Sequence, residues 1–328
     1  HHGFSQDNRE AMYRWFNRAA GVSWAGGEPA LVVEKDEDLW CTPNGRVAEL
    51  KSRPVFSYIN QAARQLAEKR RPLPQDELLR TVVEVLKLPD RRGEPDYRIL
   101  RPLAERGYPK KHCMTYAVRT EPGIHALVHL LLDEVHYSRP PQGVPRAVLY
   151  VAHQSSDAEL RGEPLVAEVI RAEPESAFYA CDVRGIGDSR ADTCGVGQFW
   201  GERGADYFYA FFSLMLDSPY VGQKTLDVLR VLDWLAAQGH RQVHLVGKGW
   251  GALPATFAAL LSPLVVQVTL NSALTSYGEL AAQAETRPWP LSTLVPGVLQ
   301  HFDLPDCYRA LAVKNLRQLE PWEPKTGG

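Results

Sequence analysis

The stretch "HLVGKGWGALPATFAAL", His244 to Leu260, constrains the fold more than any other part of the chain. A short apolar run enters a turn with glycine at 247, 249 and 251, then leaves as a helix rich in alanine and leucine. The run reads as a buried strand, and the glycines permit a tight turn in which helix and strand approach closely. Strands buried on both faces belong to parallel sheets covered by helices. The same alternation recurs on both sides of this segment. "RAVLYVAH" and "SAFYACDVRG" read as strands, "ELRGEPLVAEVIRAE" and "TLDVLRVLDWLAAQGH" as helices, and "VVQVTLNSA" as the strand after the glycine turn. "DYRILRPLAE" and "HCMTYAVRTEPGIHALVHLLL" read as antiparallel lead-in strands, the latter pair joined at Glu121-Pro122-Gly123. The predicted class is therefore α/β, a doubly wound and mainly parallel sheet, with an N-terminal helical and linker segment.

Ahead of the sheet, "SQDNREAMYRWFNRAAG" predicts an amphipathic helix with Ser5 as N-cap and Gly21 as stop. A mostly extended linker follows, with a strand expected at 31–33 and a turn at Asn44-Gly45, and then two helical patterns at 55–70 and 75–86. The expected division is 1–27, a terminal amphipathic helix; 28–95, linker and helices; and 96–328, the α/β domain. A chain of 328 residues with a net charge of −2 offers no electrostatic reason to bind nucleic acid or an anionic membrane. It contains no apolar run of ~18 residues, the length that would span a bilayer. The five cysteines are scattered without a CxxC pair, which argues against a disulfide framework and a zinc site.

The glycine turn has the frame of a nucleophile elbow, Gly-x-Ser-x-Gly, in which a strained strand-to-helix turn presents a serine above a parallel sheet. Here the frame is Gly247-Lys248-Gly249-Trp250-Gly251, and position 249 has no hydroxyl to attack a carbonyl. An oxyanion hole in such a site uses the backbone N–H after the nucleophile and another after an earlier strand. Those donors would be Trp250 and either Gln154 or Ser155, with His153 lining the pocket. Asp182 and Arg184, in "CDVRGIGDSR", are expected to satisfy backbone groups and each other, the alternative being an arginine that grips a substrate carboxylate. His125 and His129 are four apart in a predicted strand and are read as structural, as is His244. Asp303 and Asp306 are read as helix caps. Glu323, just past the last strand in "LEPWEP", stands where a triad acid belongs, but no histidine follows it.

Taken together, "DVRGIGDS", "GKGWGALPATFAAL", "LNSALTSYGEL", "FDLPDCYRAL" and "LEPWEP" resemble the α/β-hydrolase fold, and more narrowly the acetyl-xylan-esterase-like bacterial carbohydrate esterases. The likeness spans 97–328. The opening "HHGFSQDNREAMYRWFNR" resembles the end of a separate hydrolase domain, with His2 at the position of a catalytic histidine. Some members of that family carry two such domains in tandem, the second degraded. The resemblance implies an esterase-like domain without its nucleophile, partnered by a preceding hydrolase domain and open to a carbohydrate ligand. The residues themselves give no expectation of a cofactor or a metal. The resemblance also implies export. The alternatives are an active ester hydrolase whose serine was replaced at Gly249, with His2 and Glu323 completing the triad, and a carbohydrate-binding module using Trp200, Trp289 and Trp322.

Overall fold

A computed structural model describes residues 3–23, 26–100, 102–190, 206–283 and 289–322. Chain contacts divide it into two compact units, His1–Pro54 and Val55–Gly328.

In the first unit, helix α1 (Gln6–Ala20) begins where the Ser5 hydroxyl accepts the Asn8 N–H and ends at Gly21, φ +68°. Its Met12, Trp15 and Phe16 form the expected apolar stripe and are exposed. Arg9 pairs with Glu28 at 2.9 Å and Glu10 accepts the Glu28 N–H at 3.0 Å, which fixes the chain leaving the helix. Residues 31–33 do not form the expected strand. Val32 and Val33 are 87% and 88% exposed, and an extended segment without a partner strand leaves its backbone groups to water. A single helical turn, α2 (Asp36–Leu39), follows, and the Asn44-Gly45 turn forms with Gly45 at φ +70°.

The second unit opens with helices α3 (Val55–Lys69) and α4 (Gln75–Val85). Leu78, Val82 and Leu86 are buried in the same core as the sheet, so α4 folds with it. The strands are β1 (Tyr97–Ile99), β2 (Leu103–Ala104), β3 (His112–Glu121), β4 (Ile124–Leu132), β5 (Arg146–Val151), β6 (Ala177–Asp182), β7 (Gln242–Lys248), β8 (Val265–Asn271) and β9 (Leu316–Leu319). They lie in the order β1-β3-β4-β6-β5-β7-β8-β9, with β2 beside β3. The first pairings are antiparallel, and those from β6 through β5, β7 and β8 to β9 are parallel. This is the expected mainly parallel sheet with an antiparallel lead-in.

Between the strands run α5 (Ser156–Gly162), α6 (Pro164–Ala172), α7 (Tyr207–Met215), α8 (Tyr220–Ala237), α9 (Ala252–Leu261), α10 (Tyr277–Ala282) and α11 (Leu304–Leu311). The segment read as one helix after β5 is two. Pro164 has no N–H to continue a helix, so it opens α6, and the Glu163 side chain caps the Leu165 N–H. The α8 helix buries Leu226, Leu229, Leu232 and Leu235, with Trp234 against Tyr97, Tyr116 and Tyr179 at ring separations of 5.2–5.9 Å. Asp303 and Asp306 form the capping box of α11, as expected. Cys41, Cys113, Cys181 and Cys307 are free thiols. No described helix is long and apolar enough to cross a membrane.

Candidate functional site

Strand register brings the two turns of interest together. β5 and β7 are parallel neighbours with Val151 opposite Gly247, so the next positions outward on each chain are Ala152 and Lys248, then His153 and Gly249. From these two strands the order runs to β6 on one side and to β8 and β9 on the other. In an open α/β sheet, ligand crevices form at the carboxyl ends of strands where the order reverses in this way.

The elbow backbone is retained. Gly249 sits at φ +51°, the left-handed region that costs an ordinary residue strain. Gly251 is held by close approach instead, since a Cβ there would stand 2.4 Å from the Ala152 carbonyl oxygen. Gly247 is similarly tight against Ala255 and Ala252 of α9.

The volume a nucleophile side chain would need is occupied by His153. A Cβ on Gly249 would lie 2.5 Å from His153 Nδ1. That nitrogen accepts the backbone N–H of Trp250 at 3.1 Å, and the two rings meet edge to face at 4.6 Å. A backbone N–H can only donate, so Nδ1 carries the lone pair and the neutral ring bears its proton on Nε2. Burial holds the His153 pKa below the usual histidine range. The Lys248 charge acts in the same direction, and the Glu159 and Glu163 carboxylates oppose it. Lys248 itself pairs with Glu163.

The donors on the opposite turn are also engaged. The Glu159 carboxylate, one turn into α5, accepts the N–H groups of His153 (3.0 Å), Gln154 (2.8 Å) and Ser155 (3.1 Å). It accepts the Tyr150 hydroxyl as well, at 2.6 Å. The Ser155 hydroxyl caps α5 by accepting the Ala158 N–H. Every backbone donor considered for an oxyanion hole therefore has an internal acceptor. A substrate carbonyl would have to displace the imidazole or the carboxylate to reach one.

Asp182 and Arg184 do not satisfy each other. Asp182 accepts the N–H groups of Ser156 (2.7 Å) and Asp188 (3.0 Å). Arg184 is locked on Asp227, with bonds of 2.9 and 2.6 Å from its guanidinium, and also pairs with Glu121. Held this way and 6% exposed, Arg184 is not available to a substrate carboxylate. His244 is buried between Glu173 and Thr269, and His129 is buried in β4. Trp289 and Trp322 pack on each other at 4.9 Å and are partly buried. His2, Glu323 and Trp200 lie outside the described residues. An apolar hollow of about 750 Å³ lies along α3 and α10, lined by Phe56, Ile59, Leu66, Tyr277 and Leu280 and by none of the elbow residues.

Sequence reasoning missed Glu159 and Asp227. An acid in the first turn of the helix after β5 was a local sign of the former. Nothing near Arg184 pointed to an aspartate 43 positions away.

No family model matches the chain, and no curated protein matches it by sequence. Solved structures do. A candidate acetyl xylan esterase from Bacteroides fragilis superposes with a TM-score of 0.61 at 15% identity, over 85% of this chain and 76% of that one. An acetyl xylan esterase from Paenibacillus sp. R4 gives 0.44 at 18% identity, over 76% and 78% of the two chains. A glucuronoyl esterase from Solibacter usitatus gives 0.45 at 14%, over 74% and 72%. At such identities the first of these speaks to architecture, and the architecture is the α/β-hydrolase fold.

Proposed function

We propose that this chain, an α/β hydrolase by fold, is an esterase-like domain that performs no ester hydrolysis at its own elbow. In this reading it serves as a structural or binding part of a carbohydrate esterase of the acetyl xylan type. The observation that carries the reading is the placement of His153. Its ring fills the space beside Gly249 that a nucleophile would need, and its Nδ1 takes the Trp250 N–H at 3.1 Å. Acyl transfer needs a nucleophile, a base that activates it and free donors for the developing oxyanion. Position 249 supplies no nucleophile, and His153 and Glu159 hold the donors.

The partner in this reading is a preceding hydrolase domain, to which His2 would belong, and export goes with that role. The test is turnover of p-nitrophenyl acetate and acetylated xylan by the purified chain. Background rates are expected. Turnover that disappears on changing Ser155 or Ser156 would overturn the proposal, because it would reveal a nucleophile elsewhere at the same strand ends.

A further inference from the structure

We propose that His129, Asp182 and Asp188 form a binding site for a divalent transition-metal cation, with zinc preferred. One ring nitrogen of His129 and one carboxylate oxygen from each aspartate all lie within 4.8 Å of one another. The three residues come from β4, the end of β6 and the turn after it.

The histidine points to a ligand independently of the acids. His129 is 1% exposed, and its Nε2 is buried without a hydrogen-bond partner among the described residues. Its other nitrogen lies 3.0 Å from the Thr115 hydroxyl on β3. With Nδ1–H donated to that oxygen, Nε2 presents a lone pair, which is how metal-binding histidines are commonly held.

The carboxylates are similarly prepared. Asp182 is fixed by the backbone N–H groups of Ser156 and Asp188, one to each oxygen. A carboxylate offers about four acceptor positions, so both oxygens keep capacity for a cation. Neither aspartate belongs to an ion pair among the described residues, since Arg184 turns away to Asp227 and Glu121. Two negative charges beside a neutral imidazole suit a borderline cation with mixed nitrogen and oxygen ligands. Tetrahedral zinc with bonds of ~2.0–2.2 Å spaces its ligands at ~3.3 Å, so binding would draw the three groups together. Asp188 is exposed and can make that movement, and the same exposure provides a route of entry. The turn it belongs to donates the Gly187 N–H to the Gln154 carbonyl at 2.8 Å. A bound cation would thus clip β4 and β6 to the turn that carries Gln154, beside the filled elbow.

The experiment uses the full chain with His1→Ala and His2→Ala, which removes an adjacent histidine pair able to bind zinc by itself. After chelator treatment and dialysis, zinc titration by calorimetry should give one site per chain and raise the melting temperature. Asp188→Asn, at an exposed position, should keep the fold and weaken binding by at least ~10-fold, as should His129→Gln. Excess magnesium should not compete, because it favours all-oxygen sites. Absence of stoichiometric zinc would overturn the proposal, and so would unchanged affinity in a folded Asp188→Asn chain. The Asp188 variant decides the matter even if His129→Gln fails to fold.

Discussion

His153 Nδ1 accepts the Trp250 backbone N–H at 3.1 Å from directly beside Gly249, where a Cβ would meet it at 2.5 Å. One imidazole thus occupies both the side-chain space and a backbone donor of the elbow. Restoring a serine is therefore a different operation here from restoring one in an open site.

Gly249→Ser alone should leave ester hydrolysis at background. It should also destabilise the chain by about 1–3 kcal/mol, from strain at φ +51° and the imposed movement of His153. Urea unfolding and a p-nitrophenyl acetate assay on the same preparation read both effects. A large gain in turnover from the single change would show that the imidazole yields readily and can act as a base.

Removing Glu159 should loosen the turn that faces the elbow. Its carboxylate accepts three consecutive backbone N–H groups and the buried Tyr150 hydroxyl. Glu159→Ala should cost about 2–3 kcal/mol, since the Tyr150 hydroxyl and part of the turn lose their acceptor. Glu159→Gln should cost less. Hydrogen exchange at Gln154 and Ser155 should rise in the alanine variant and rise less in the glutamine variant.

Asp227 is fully buried, and Arg184 depends on it. Asp227→Ala should cost about 3–5 kcal/mol, because among the described residues it leaves a buried guanidinium with only the partly exposed Glu121 as a charged partner. Replacing both Arg184 and Asp227 with apolar residues should cost less than the single change. A double-mutant cycle by urea denaturation measures the difference.

Stability should fall as pH drops from 7 towards 6. Burial lowers the pKa of His153, His240 and His244 below the ordinary value of 6.5. In that window the unfolded chain binds protons that the folded chain resists, so stability rises with pH. Asp182, raised by burial to about 6, has the opposite sign, but its contribution changes mainly below that pH. Urea midpoints across pH 6–7.5 check the direction, and His153→Asn should reduce the slope.

Local signals carried far in this chain. The Ser5 cap, the Gly21 stop and the Asp303–Asp306 capping box depend on residues within one helical turn of each other, and each formed as expected. The long apolar runs likewise became buried strands. Where a local pattern needed a distant partner it could mislead. The valines at 32 and 33 look like a strand but pair with no strand among the described residues, and Pro164 divided a periodic stretch that reads as continuous.

The frame Gly247-Lys248-Gly249-Trp250-Gly251 by itself determined a tight strand-to-helix turn without a serine hydroxyl, because backbone freedom and side-chain chemistry are properties of the residues present. Only tertiary structure decided what filled the turn. The parallel register that sets Val151 opposite Gly247 carries His153 to the elbow from 96 positions earlier. Folding likewise gathered His129, Asp182 and Asp188 from separate strands and a turn. Strand pairing is set by burial and hydrogen bonding summed over the whole sheet, and no short window of sequence contains that sum.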